Sequence, residues 1–275
     1  MMIKNIKQEF PIFKNKINGK ELVYLDSANS SQKPQSVIDA VSFFYSNEFA
    51  NVGRGIYTLA VNASEKYEKT RSNLKTFIGA SSDFEIIFTK NATESLNLVA
   101  SCFGEKFIEK DDEIILTETE HHANYVPWHF LRKRKGAIIK FLPIDEDGNL
   151  KVEELESLIS NKTKIISITH MSNVTGAITP LEKIIEIAKK NNIPVCVDGT
   201  QGAAHLETDI KKLDCDFYAF SGHKMYGPTG VGLLAIKYKW LEAFDPFMGG
   251  GGMIDYVTKK DIAYARGVWK MEAGT

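Results

Sequence analysis

Apolar runs of strand length alternate along the chain with longer amphipathic stretches, the pattern of a largely parallel sheet covered by helices on both faces. Seven runs predict strands: FEIIFT (84–89), EIILTE (113–118), AIIKFLPI (137–144), KIISITH (164–170), IPVCVD (193–198), DFYAFS (216–221) and GVGLLAIK (230–237). Helices are expected over 93–103, 124–135, 152–159 and 181–191. Two more, over 35–49 and 59–78, precede the sheet, the second carrying the mixed charges of a solvated face. The link between the last two strands is too short for a helical crossover, so the final strand is expected to run antiparallel. The fold class is therefore α/β: a mainly parallel seven-stranded sheet with helices on both faces and one antiparallel strand.

Composition narrows the setting. The 275 residues hold 34 basic and 35 acidic side chains, a net charge of −1, so there is no field of one sign to recruit nucleic acid or an anionic membrane. Three cysteines without CxxC spacing fit a reducing compartment such as the cytoplasm. No run approaches the ~20 apolar residues that span a bilayer. Residues 1–30 read as an N-terminal arm or the start of a small domain, and 31–275 as one large domain. MGGGGM (248–253) reads as a flexible or close-approach loop. The sequence stops at WKMEAGT without a closing helix or strand, so a further C-terminal segment, holding a small domain, is expected.

In an open α/β sheet ligands bind at the carboxyl ends of the parallel strands, and polar residues cluster there. NATES (91–95) offers Thr93 at a helix start, either as an N-cap or as a phosphate donor. His121 and His122 follow the second strand, as metal ligands, as a ring to stack on an aromatic ligand, or as loop histidines. Asn173 follows the fourth. Asp198 and Gln201 follow the fifth, the aspartate either as a helix cap or as a desolvated carboxylate in need of a cation. Ser221, His223 and Lys224 follow the sixth. An isolated lysine is ordinarily a solubility charge; desolvated at a strand end it becomes a nucleophile. No GxxxxGK[ST] or GxGxxG loop supports ATP or NAD. One ligand matches the whole rim: an aromatic cofactor with a phosphate, a ring nitrogen seeking a carboxylate, and an aldehyde seeking an amine, which is pyridoxal 5′-phosphate.

EHHANYVPW (120–128), THMSNVTG (169–176), VDGTQ (197–201) and FSGHKMYGPTGVG (220–232), in this order, resemble the class V aminotransferase family of fold-type I pyridoxal-phosphate enzymes, and among them the group II (SufS-type) cysteine desulfurases. The likeness runs from YLDSANSSQKP (24–34) and RGIYTLA (54–60) to EAGT (272–275). It implies that 31–275 is the cofactor-binding domain, with Lys224 as the Schiff-base lysine, Asp198 paired with the pyridinium nitrogen, Gln201 at the phenolic oxygen and His121 stacked on the ring. It further implies phosphate contacts from Thr93, Ser221 and His223, with Asn173 near the substrate. Family members are homodimers, and the resemblance places Thr275 at the partner's cofactor phosphate. The implied reaction takes L-cysteine to L-alanine and passes sulfur, as a persulfide, to acceptor proteins for iron–sulfur cluster assembly. Selenocysteine lyase, another lyase or epimerase of the family, and a cofactor-binding remnant without turnover are the alternatives.

Three positions depart from the pattern. Ala92 stands where the family has a second threonine, and Gly53 and Tyr57 stand where group II members carry histidines. The family's sulfur-accepting cysteine and carboxylate-binding arginine are expected beyond residue 275. Cys102, Cys196 and Cys215 read as small buried hydrophobes rather than nucleophiles.

Overall fold

The structure is a computed structural model that describes residues 6–53 and 55–274. A short hairpin, β1 (Lys16–Ile17) with β2 (Lys20–Glu21), comes first, followed by α1 (Gln35–Phe43) and α2 (Thr58–Phe77). The main sheet contains β3 (Phe84–Thr89), β4 (Glu113–Thr117), β5 (Ile138–Leu142), β6 (Thr163–Thr169), β7 (Val195–Asp198), β8 (Phe217–Ser221) and β9 (Gly232–Lys237). Its order is β3-β9-β8-β7-β6-β4-β5, and β9 runs antiparallel to both neighbours while all other pairs are parallel. The predicted class, strand number and antiparallel final strand all hold.

Side chains alternate between two cores because successive strand residues point to opposite faces. On one face Ile86, Ile115, Ile166, Val197, Tyr218 and Phe220 meet α6 (Leu181–Lys190) through Leu181, Ile184 and Ile185. On the other, Ile87, Ile114, Leu116, Ile165, Phe217 and Leu234 meet α3 (Ala92–Phe107) and α4 (His122–Lys135) through Leu96, Val99, Phe103, Trp128 and Leu131. Burial on both faces explains why the strands read as continuous apolar runs.

Differences from the sequence reading lie at element ends. The helix expected over 35–49 is α1 followed by a π-helical turn, Phe44–Glu48. The one expected over 152–159 is a 3-10 turn, Val152–Glu154, joined to α5 (Leu155–Leu158). After the glycine loop comes an unanticipated hairpin, β10 (Ile254–Val257) with β11 (Ile262–Tyr264), and then a 3-10 turn at Gly267–Met271. The charges of α2 are not all solvated: Arg71 is 4% exposed. It pairs at 2.7 Å with Glu272, itself bonded to the Phe88 N–H at 2.7 Å and to the Tyr67 hydroxyl at 3.0 Å. Arg71 also lies over the Tyr67 and Phe88 rings. This cluster ties the 272–274 segment to β3.

Strand register brings the ends of β3, β4, β6, β7 and β8 to one rim. Thr89 and Ser221 both face Gly232, and Asp198 pairs with Thr169 on one side and Ala219 on the other. Gly232 is required there: a Cβ would lie 2.2 Å from the carbonyl carbon of Asn91, inside the loop that opens α3. Its absence allows β9 to pass directly beneath that loop.

Candidate active site

The rim encloses a cleft of about 280 Å³ lined by eight of the nine residues singled out from sequence: Thr93, His121, Asn173, Asp198, Gln201, Ser221, His223 and Lys224. The ninth, Thr275, lies outside the described residues. A larger cleft of about 350 Å³ beside α6 is bounded by Glu182 and Lys212, which pair with one another at 2.8 Å; it gathers no comparable set of reactive groups.

At one end of the rim cleft is the start of α3. Asn91, not Thr93, caps it, accepting from the Glu94 N–H at 2.9 Å. Thr93 is exposed in the first turn, so its hydroxyl and backbone N–H sit among the donors that a helix start leaves without intrahelical partners. Ala92 donates its N–H to Ser221 Oγ at 2.8 Å, an arrangement that leaves the buried serine's own proton to be donated elsewhere. His223 completes this end, its Nδ1 3.1 Å from Ser30 Oγ, and burial lowers its pKa, helped by the nearby charges of Lys224 and Lys33. Hydroxyls, amides and a histidine around a helix N-terminus form an anion cradle.

Asp198 ends β7 and is 4% exposed. Its Oδ1 accepts from the Thr200 N–H at 3.0 Å, and among the described residues no cation lies within ion-pair distance. Lys224 follows the 3-10 turn that ends β8, and its Nζ makes no hydrogen bond or ion pair among the described residues. Burial lowers the Lys224 pKa, with the Asp198 charge acting against the shift. A buried carboxylate without a cation and an amine without a partner therefore face the same space.

His121 caps α4, accepting from the Ala123 N–H at Nδ1, 3.1 Å away. That bond assigns the proton of the neutral ring to Nε2, and burial lowers the pKa, keeping the ring neutral. Gln201 donates from Nε2 to the Ala28 carbonyl at 2.7 Å. The same 24–34 stretch covers the lysine turn, because Ser31 Oγ and Lys33 Nζ both donate to the His223 carbonyl, at 3.0 and 2.8 Å. Ser30, Ser31 and Lys33 lie in the YLDSANSSQKP stretch of the likeness, but the sequence assigned them no part in the site.

Two further glycines of the turn close it upon itself: a Cβ on Gly222 would meet Val231 Cγ1 at 2.7 Å, and one on Gly227 would lie 3.0 Å from the Gly222 carbonyl oxygen. Of the two loop departures, Gly53 has φ 117 and donates its N–H to Ser64 Oγ, while Tyr57 is exposed at the start of α2. All three cysteines are buried, and burial pushes the thiols of Cys102 and Cys215 up to about 12 and that of Cys196 higher still. Among the described residues no group of three metal-ligating side chains comes together, and no helix is long and apolar enough to cross a membrane.

The Aminotransferase class-V profile matches residues 23–275. The chain belongs to the class-V aminotransferase family. Similar members are a cysteine desulfurase from Salmonella dublin, 45% identical over 274 residues, and a probable cysteine desulfurase from Halalkalibacterium halodurans, 46% identical over 270. These alignments cover 99% and 98% of this chain and 68% and 66% of the relatives. Among solved structures, a cysteine desulfurase from Thermococcus onnurineus superposes with a TM-score of 0.93 at 36% identity, covering 100% of this chain and 67% of the other. One from Escherichia coli gives 0.88 at 39%, covering 98% and 66%. The chain thus spans about two thirds of the length of these class-V relatives.

Proposed function

We propose that the rim cleft binds pyridoxal 5′-phosphate and that the chain supplies the cofactor domain, residues 31–275, of a cysteine desulfurase. The observation that carries this reading is that one cleft holds a Lys224 amine and a buried Asp198 carboxylate, each without an ion-pair partner among the described residues, beside an anion cradle. These groups fit the cofactor: Thr93, Ser221 and His223 would hold its phosphate, Asp198 its ring nitrogen, Gln201 its phenolic oxygen, and Lys224 its aldehyde carbon. Bound there, the cofactor supplies an electron sink that acidifies the bonds of an attached amino acid.

The chain's own side chains do the rest. Asp198, buried at the end of β7, would keep the ring nitrogen protonated. The His121 ring closes one face, fixed by its bond from the Ala123 N–H and neutral through burial. Lys224, whose pKa burial lowers, would take up and return a proton at the substrate's α-carbon. Asn173 lines the substrate side of the cleft. The sulfur acceptor is a thiol other than Cys102, Cys196 and Cys215, because buried protonated thiols are not nucleophiles.

Cytoplasmic location, a homodimer and transfer of sulfur to an acceptor protein for iron–sulfur cluster assembly complete the proposal. Incubation of the complete protein with L-cysteine, the cofactor and a reductant is expected to yield sulfide and alanine in equal amounts. A protein that binds the cofactor and yields neither, or that acts on L-selenocysteine alone, contradicts the desulfurase assignment.

A further inference from the structure

Glu120 does not line the cleft, yet it joins three of the segments that build it. Its Oε1 accepts from the Thr169 N–H at 2.9 Å and lies 2.5 Å from Thr117 Oγ1, while Oε2 accepts from Asn124 Nδ2 at 2.6 Å. Thr117 ends β4 and Thr169 ends β6, where its Cα is the register partner of Asp198. Asn124 is in the first turn of α4, where its N–H bonds the His121 carbonyl at 2.8 Å. One planar carboxyl thus bridges the strand end beside Asp198 and the helix start that carries His121.

The bridge has a fixed polarity. Asn124 is fully buried, and its Oδ1 already accepts from Ser167 Oγ at 2.6 Å and Trp128 Nε1 at 3.3 Å, so its Nδ2 must face Glu120. The Thr169 N–H can only donate. Both oxygens at position 120 must therefore be acceptors, which an amide cannot offer: a glutamine in either orientation sets an NH₂ against a donor.

We propose that Glu120 is a positioning residue for the cofactor ring, setting the gap between the His121 imidazole above it and the Asp198 carboxylate at its edge. The proposal rests on the cofactor reading above. Burial pushes the Glu120 carboxyl up to about 8, against the hydrogen bonds from Thr117, Asn124 and Thr169, and the nearby Asp198 charge adds to the rise; the proton it gains fits the short contact with Thr117 Oγ1, leaving each oxygen a lone pair for Thr169 and Asn124, which an NH₂ does not have. Although Glu120 as a residue is only half-buried, its carboxyl is enclosed. Glu120 opens the EHHANYVPW stretch, but its partners run from Thr117 to Thr169, so the stretch alone does not disclose the bridge.

The test exchanges acid and amide. Glu120→Gln places an NH₂ against a donor, whereas the double variant Glu120→Gln with Asn124→Asp restores every bond: the introduced amide donates to the new carboxylate, and its carbonyl accepts from Thr169. Apo proteins are titrated with pyridoxal 5′-phosphate, following the dissociation constant and the position of the visible band. Near-UV circular dichroism checks the fold. The single variant is expected to raise the dissociation constant about tenfold and shift the band, and the double variant to return both toward wild type. Glu113→Gln, at the opposite end of β4 and bonded to Lys140, Ser160 and Thr163, is expected to leave both unchanged. An unchanged constant and band in Glu120→Gln, or no recovery in the double variant, overturns the proposal. Wild-type protein that fails to bind the cofactor overturns the cofactor reading instead.

Discussion

Lys224→Ala is expected to remove the visible absorption of the cofactor-loaded protein and to lower kcat for alanine formation at least ~10³-fold. The expectation follows from the placement of the amine. Nζ has no partner among the described residues, burial weakens its hold on a proton, and the Asp198 charge that acts on it belongs to the same cleft. Substitution by alanine leaves the cradle of Thr93, Ser221 and His223 intact, so the variant should still take up the cofactor, noncovalently. Retained absorption together with wild-type turnover would show that another group performs both tasks.

Glu272→Ala is expected to have the largest effect on stability. It leaves the Arg71 guanidinium in a site where the residue is only 4% exposed, and it removes the acceptor of the Phe88 N–H and the Tyr67 hydroxyl. Breaking one side of a buried pair costs ~3–5 kcal/mol. The Arg71–Glu68 contact does not replace it, because Glu68 is half exposed and its attraction is screened by water. Urea denaturation of the apo protein measures the loss. The solvated Lys190–Glu186 pair provides the contrast, since Glu186→Ala should leave the midpoint where it is. The same cluster fixes the 272–274 segment against β3, so the variant should also loosen that segment in hydrogen exchange.

Both contrasts show what a sequence discloses. The seven strands were legible because a sheet buried on both faces demands uninterrupted apolar runs, and the antiparallel β9 was legible because its link to β8 cannot hold a crossover helix. The rim was legible for a related reason: each run stops at a polar residue, and register then brings Asp198 and Thr169 side by side and Ser221 opposite Gly232. Interactions between distant segments were not. Arg71 and Glu272 are 201 residues apart, and on α2 the arginine looks like any other charge of a solvated helix. Glu120 opens the EHHANYVPW stretch, yet nothing in that stretch shows its bond to Thr169. The sequence leaves the helix cap open because Asn91, Thr93 and Ser95 all bear cap-forming side chains, and only the backbone at Asn91 (φ −174, ψ 172) selects among them. The β10–β11 hairpin escaped because its residues are mostly exposed and so carry no amphipathic pattern.

The central claim is that one lysine, at the end of β8, carries the cofactor. Protein loaded with pyridoxal 5′-phosphate, reduced with borohydride, digested and mapped by mass spectrometry is predicted to bear a single pyridoxyl-phosphate adduct, on the peptide containing Lys224. An adduct on Lys33 or any other lysine, with Lys224 unmodified, would contradict the account.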